Sequence, residues 1–231
     1  MLTSENNQIL TRVGPGTAMG GLFRHFWQPA LLSEELSGPD CSPVRVRLMG
    51  EDFVAFRDSA GRVGLLDSHC PHRLADLYFG RNEEGGLRCV YHGWKFSVTG
   101  EVLDMPSEPS ESPMRCNPNV RAKAYSVHEA GGIVWAYLGP VESIPPLPQM
   151  EFMGLPAANV YASKCLMKCN YQQALEGSID TAHFTFLHRS IGPMEKDVFG
   201  VGELQEFGDA DGAPPARRSP RRVMTPAEAV V

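Results

Sequence analysis

Cys70, His72, Cys89 and His92 lie as Cys-x-His and Cys-x-x-His in two short segments, and this pair of pairs constrains the 231-residue chain more than any other feature. Thiolates and imidazoles are metal donors, and a donor set drawn equally from two segments requires the fold to bring both to one place. In CPHRLADL and CVYHGW, Pro71 and Gly93 bend the backbone so that N–H groups can point at sulfur, and Trp94 is placed to keep water away. The spacing predicts two loops at neighbouring hairpin tips.

Two thiolates and two imidazoles make a Rieske-type [2Fe–2S] cluster, in which one iron takes the sulfurs and the other the nitrogens, a centre for electron transfer. The same residue types also make a structural zinc site. Zinc sets usually pair Cys with Cys and His with His, whereas each pair here is mixed, which suits a cluster straddled by both loops. Ordinary buried cysteines and satisfied histidines have no reason to fall into two compact pairs.

A second feature is NYQQALEGSIDTAHFTFLH, residues 170–188. Asn170 can cap a helix and the next residues are good or neutral helix formers, so the segment is expected to be mostly helical. Glu176, Asp180 and His183 then share one stripe at i, i+4 and i+7. His188 lies about 140° further round at 3.6 residues per turn, so the two imidazoles converge only through a wide turn, expected near Phe184 to Leu187. Two histidines with carboxylates one turn away are what a non-haem Fe(II) site needs. A solvated helix face with two histidines is the alternative.

With both motifs in hand, the chain resembles the large subunit of Rieske-type aromatic-ring-hydroxylating oxygenases, most like the phthalate 4,5-dioxygenase and vanillate demethylase branch. The likeness runs from about GPGTAMGGLFRHFWQPALLSEEL to about HFTFLHRS. It implies that Cys70, His72, Cys89 and His92 hold the cluster and that His183 and His188 hold a mononuclear Fe(II). It also implies that Asp180 is the bridging acid, hydrogen-bonded to an iron-bound histidine and to His92 of a neighbouring subunit. The family's third iron ligand is a carboxylate from a helix well beyond where this chain stops. The acids after His188 are Glu195, Asp197, Glu203, Glu206, Asp209, Asp211 and Glu228. None sits in a matching setting, so no carboxylate ligand is assigned.

After Phe207 the sequence GDADGAPPARRSPRRVMTPAEAVV has no aromatic residue and is rich in Ala, Pro and Arg. Such a stretch cannot bury enough apolar surface to offset its ordering entropy. It is expected to be a disordered or non-family tail on a truncated or frame-shifted oxygenase subunit.

A formal charge of −6 argues against a nucleic-acid partner. No apolar run is long enough for a membrane span and the N-terminus lacks a secretory pattern, so the expected location is the cytoplasm. Of six cysteines, two are claimed by the cluster. Cys41 and Cys116 are expected as free thiols in loops, and Cys165 and Cys169 as small core residues in a strand. Neither metal loop carries an extra cysteine for the loop-tying disulfide of respiratory Rieske proteins, which by resemblance implies the lower-potential oxygenase type.

Periodicity supplies the organisation. Residues 1–43 hold a Gly-Pro-Gly turn, a helical segment around Ala18 to Phe26 and an extended stretch. From Val44 the period becomes two, with strands expected at Val44–Leu48, Asp52–Phe56, Val63–Leu66, Leu87–Tyr91, Trp94–Phe96 and Ile133–Tyr137, and glycines marking the turns. Regular short strands imply an antiparallel sandwich or barrel. Residues 106–119 read as a Pro-rich loop and 139–156 as a Pro-rich linker, with a strand from Val160 to Cys169. The expected fold is a mainly β Rieske domain over 44–138, followed after the linker by an incomplete α+β catalytic domain over 157–207 and the tail 208–231.

The chain has no Gly-x-Gly-x-x-Gly fingerprint and no phosphate loop, so an NADH-dependent reductase is the expected electron donor. For an intact family member the resemblance implies electron passage from the cluster through His92 and Asp180 to the iron. It further implies reaction with O₂ and an aromatic substrate, whether hydroxylation or O-demethylation, in a homotrimer. Two other readings compete: a Rieske ferredoxin-like electron carrier, and a non-catalytic remnant.

Overall fold

The computed structural model describes residues 2–115, 117–183 and 187, and the chain divides into two compact units, Met1–Leu166 and a second beginning at Met167. The first unit opens with helices α1 (Ser4–Thr11) and α2 (Ala18–Phe23). Each is started by a threonine, Thr3 or Thr17, whose hydroxyl accepts a backbone N–H of the first turn. Ten strands follow: β1 (Gln28–Leu32), β2 (Val44–Leu48), β3 (Glu51–Arg57), β4 (Val63–Asp67), β5 (Arg81–Glu83), β6 (Gly86–Arg88), β7 (Lys95–Phe96), β8 (Val102–Asp104), β9 (Ala124–Ala130) and β10 (Ile133–Tyr137). They form two antiparallel sheets, ordered β1-β10-β9-β4-β3-β2 and β5-β6-β7-β8.

The first sheet curls until its end strands, β1 and β2, come into contact, so it is a nearly closed antiparallel barrel. Turn chemistry drives the curl. The β2–β3, β5–β6 and β9–β10 hairpins each turn on two residues, Met49-Gly50, Glu84-Gly85 and Gly131-Gly132, all at positive φ. That is the turn whose twist matches paired strands, and a glycine at the second position adopts it without strain.

β3 and β4 form a wall between two cores. Along β3, Phe53 and Ala55 face the barrel interior with Leu31, Val46, Val134 and Ala136. The alternate residues Val54 and Phe56 face the second core with Leu66, Leu87, Trp94 and Phe96. The alternation is that of an extended strand with both faces covered. Full burial of such side chains stabilises by about 1.5–3 kcal/mol each.

The four-stranded sheet is an insertion between β4 and β9, which pair with each other through Leu65–Tyr125 and Leu66–Ala124. Both predicted metal loops lie in it. The expected strand at Leu87–Tyr91 stops at Arg88, because the chain turns at Cys89 into a loop. Residues 160–169 form no strand, and Cys165 and Cys169 are exposed, not core. No strand pairs with this stretch among the described residues.

In the second unit, α3 (Tyr171–Ile179) begins as expected at Asn170, whose side chain accepts the Gln173 N–H. It ends sooner than expected, with Asp180 as its C-cap. Gly177, Ser178 and β-branched Ile179 are weak helix formers, and the Asp180 carboxylate accepts the Ala182 N–H at 3.0 Å, a local bond that competes with helix continuation. His183 therefore lies past the helix. The wide turn expected near Phe184 to Leu187 lies largely outside the described residues, as do His188, Cys116 and the tail. Among the described residues no helix is long and apolar enough to cross a membrane.

Candidate metal centre

Loop 1 follows β4, runs from Ser68 to Asp76 and is closed at its base by a bridge between His69 and Asp76. Asp76 is held by Arg45 at 2.7 Å and caps the turn Leu77–Phe79. Loop 2, Cys89 to Trp94, joins β6 to β7.

The two loops share one backbone pattern. In loop 1 the Cys70 N–H donates to the Ala75 carbonyl at 2.9 Å, and the Leu74 N–H donates back to the Cys70 carbonyl at 2.9 Å. In loop 2 the Cys89 N–H donates to the Trp94 carbonyl at 2.8 Å, and the Gly93 N–H donates to the Cys89 carbonyl at 3.1 Å. The fifth residue is left-handed in both, Leu74 at φ 56° and Gly93 at φ 76°. Counted from its cysteine, each loop thus presents a thiol at the first position of the pattern and one histidine further along, His72 in loop 1 and His92 in loop 2.

Cys70 and Cys89 are 2% and 3% exposed and lie thiol to thiol. The imidazoles of His72 and His92 form the other half of the site, with ring centroids 4.6 Å apart and planes at 63°. Sulfur is inside and nitrogen outside, since both histidines are only partly buried. Burial pushes the Cys70 thiol up to about 11, and neighbouring Cys89 adds to the rise; the N–H groups of His72 and Arg73, which point at the sulfur, oppose it. Burial, then His92 and Arg73, hold the His72 imidazole below its ordinary value, while Glu108 pulls it upward.

The Nδ1 atom of His72 is buried with no hydrogen-bond partner among the described residues. An unpaired buried polar atom costs about 1–3 kcal/mol, and a coordinate bond removes that cost. Among the described residues no three His, Cys, Asp or Glu side chains close on a single point as one ion requires. A sulfur pair beside an imidazole pair instead fits a two-iron centre, with thiolates on the inner iron and imidazoles on the outer. The residues present therefore fit a [2Fe–2S] cluster better than zinc.

Side chains outside the motif complete the site. Arg88, whose side chain is 12% exposed, donates to Glu83 at 2.7 Å, to Asp104 at 2.8 Å and to the Gly93 carbonyl at 2.7 Å. Asp104 first, and Glu83 as well, hold its guanidinium above the ordinary arginine value against burial. Arg115 reaches the Glu108 and Pro109 carbonyls at 3.1 Å and ties the loop beside Trp94. Sequence reasoning did not single out Arg88; its place one residue before Cys89 is the available signal.

Of the second candidate set, the structure places Asp180 Oδ2 and His183 Nδ1 3.8 Å apart. His188 and the downstream acids are outside the described residues.

Residues 26–125 match the Rieske [2Fe-2S] domain, and residues 136–199 match a family described as LigXa C-terminal domain like. Fold, paired loops and domain match define residues 26–125 as a Rieske iron–sulfur domain, a class whose cofactor is a [2Fe–2S] cluster. The chain is 49% identical over 197 residues to the 3-chlorobenzoate-3,4-dioxygenase oxygenase subunit of Comamonas testosteroni, covering 85% of this chain and 44% of that one. It is also 49% identical over 190 residues to the phthalate 4,5-dioxygenase oxygenase subunit of Pseudomonas putida, covering 82% of this chain and 43% of that one. The crystal structure of dicamba monooxygenase bound to 3,6-dichlorosalicylic acid matches with a TM-score of 0.60 at 25% identity, covering 72% of this chain and 47% of that one. The chain is similar to Rieske oxygenase subunits, and it spans less than half the length of the two relatives.

Proposed function

We propose that this chain is the electron-accepting part, with the opening of the catalytic domain, of a terminal oxygenase component. In this reading Cys70, His72, Cys89 and His92 hold the [2Fe–2S] cluster, and His183 and His188 hold a mononuclear Fe(II). The observation that carries it is the pairing of two buried thiols with two imidazoles, the buried Nδ1 of His72 lacking a hydrogen-bond partner among the described residues. When bound, the cluster supplies one-electron transfer and the ferrous ion supplies O₂ activation for hydroxylation or O-demethylation of an aromatic substrate.

The chain's own residues place and shield these groups. Loop 1 aims the His72 and Arg73 N–H groups at the Cys70 sulfur, and Trp94 excludes water beside His72. Asp180 lies 3.8 Å from the His183 imidazole, outside hydrogen-bond distance, and would fix its tautomer only on closer approach; in a closed trimer it would lie toward His92 of a second copy. The domain reading is a lead segment to residue 43, the Rieske domain over 44–138, a linker over 139–156, the catalytic domain from 157 to 207, and a tail beyond. An NADH-dependent reductase is the proposed donor, and the cytoplasm the proposed location. The oxygenase-subunit relatives and the lack of a nucleotide fingerprint support the separate donor.

Anaerobic reconstitution with ferrous iron and sulfide tests the reading. Two irons and two labile sulfides per chain, with the paramagnetic resonance of a reduced mixed-ligand cluster, are expected, and Cys89→Ser should abolish both. A further ferrous ion lost in a His183→Ala variant supports the mononuclear site, whereas its absence in the parent chain leaves an electron carrier. Colourless protein holding zinc without sulfide overturns the proposal.

A further inference from the structure

Behind loop 2 five charged side chains are packed together. Arg88 and Lys95 face each other directly across β6 and β7, and Lys95 faces Asp104 across β7 and β8. Like charges in direct register are destabilising, and both cations are nearly buried, with side chains 12% and 9% exposed. Glu83, Glu84 and Asp104 compensate them. Lys95 Nζ turns to Glu84, donating to its carboxylate at 3.0 Å and its carbonyl at 3.2 Å. Arg88 does something different. One nitrogen, Nη1, bridges the Asp104 carboxylate and the Gly93 carbonyl, while Nε holds Glu83.

The Gly93 carbonyl follows His92 directly, at the left-handed residue that shapes loop 2. Loop 1 has no such clamp at the matching carbonyl among the described residues; Arg45 ties its base through Asp76 instead. Its matching residue, Leu74, is 71% exposed, and no described side chain donates to its carbonyl. Two loops with one backbone pattern are therefore fixed differently at the left-handed residue, where a side-chain clamp falls on the loop that carries His92.

We propose that Arg88 is a positioning residue for the electron-carrying centre: its fork ties the Gly93 carbonyl to β8 and β5, sets the orientation of His92, and puts a cation behind the centre. This inference rests on the cluster reading above. Reduction adds one electron from the reductase to the centre and breaks no bond, so a nearby fixed cation favours the reduced form. Arginine is the residue for this task because its planar fork makes several fixed hydrogen bonds while staying charged.

The test uses the full chain reconstituted with [2Fe–2S], titrated with a reductant and followed by paramagnetic resonance. Arg88→Met should shift the reduction equilibrium about tenfold toward the oxidised form, ~59 mV for one electron, and alter the line shape. Arg88→Lys keeps charge without the fork, so its equilibrium should stay within about threefold of the parent, on the same scale, while its line shape changes. Asp104→Asn removes an anion and should shift the equilibrium toward the reduced form. A merely structural role would lower the denaturation midpoint and leave potential and line shape alone.

Unchanged potential and line shape in a fully loaded Arg88→Met chain overturn the inference. If that variant takes up no cluster, Arg88→Lys and Asp104→Asn decide, and parent-like behaviour of both overturns it equally. A parent chain that takes up no sulfide-bridged iron sinks the cluster reading and this inference together, an outcome distinct from a loaded parent with indifferent variants.

Discussion

The Trp94 indole lies flat on the His72 imidazole, with ring centroids 4.5 Å apart and planes 1° from parallel. Trp94 belongs to loop 2 and His72 to loop 1, so this stack joins the two loops without any metal. The indole is 1% exposed, and its N–H donates to Ser107 at 3.2 Å. It also packs with Cys70, Cys89, Leu87 and Phe96 in one core. The loops are thus preorganised, and cluster insertion need not order them from a coil.

Trp94→Ala should cost about 3–5 kcal/mol of stability, the range for emptying a large aromatic site. Trp94→Phe keeps a stacking ring and loses mainly the Ser107 hydrogen bond, about 1 kcal/mol. Denaturant unfolding of the metal-free chain gives both values. Similar losses for the two variants would show that the ring's bulk is not what links the loops.

The metal-free chain should lose stability at high pH. Burial and Cys89 raise the Cys70 thiol from 9.0 to about 11, so the folded state holds this proton more tightly than the unfolded chain. The stability from that difference is fully present below about 9 and disappears as the pH rises through about 11. It amounts to about 2–3 kcal/mol. Urea midpoints at pH 8 and pH 11 measure it, and Cys70→Ser should flatten the difference.

How far the chain announces its fold differs from segment to segment, for physical reasons. Val44 to Leu48 alternates apolar and charged residues because one face meets the barrel interior, and β10 reads as an apolar run because it is almost wholly buried. β1 hides behind Pro29, where the ladder with β10 shifts register. β9 carries His128 and Glu129 on a partly exposed strand, so it shows no clean period. Val160 to Cys169 has strand-like composition but no partner strand among the described residues. Cys70, His72, Cys89 and His92 stand out in the sequence because such mixed donor pairs are rare. Arg88 does not, since a lone arginine before a loop has no signature until its three acceptors are seen in space.

α3 depends on its cap. Asn170 Oδ1 accepts the Gln173 N–H at 3.0 Å, and a nine-residue helix with no buried residue has little packing to hold it. Asn170→Ala should cost about 1 kcal/mol, and Asn170→Asp much less. Hydrogen exchange on the full chain should show the Gln173 amide exchanging about fivefold faster in the alanine variant, the equivalent of that energy. Equal rates in all three chains would mean that the cap contributes nothing.

Gly93 combines two constraints that substitutions can separate. Its φ of 76° is left-handed, which costs an L-residue roughly 1–2 kcal/mol. A Cβ there would also sit 2.6 Å from Pro106 Cγ, too close without movement of loop 2 or of the Pro106 ring. Gly85 provides the comparison, because its φ is 80° and a Cβ there meets nothing within 4 Å. Gly85→Ala should therefore show the backbone cost alone, and Gly93→Ala the backbone cost plus the clash. Adding Pro106→Ala to Gly93→Ala should recover the second part and leave the first. Denaturant midpoints and bound sulfide per chain measure these effects, and the argument fails if Gly93→Ala and Gly85→Ala prove equally mild on both.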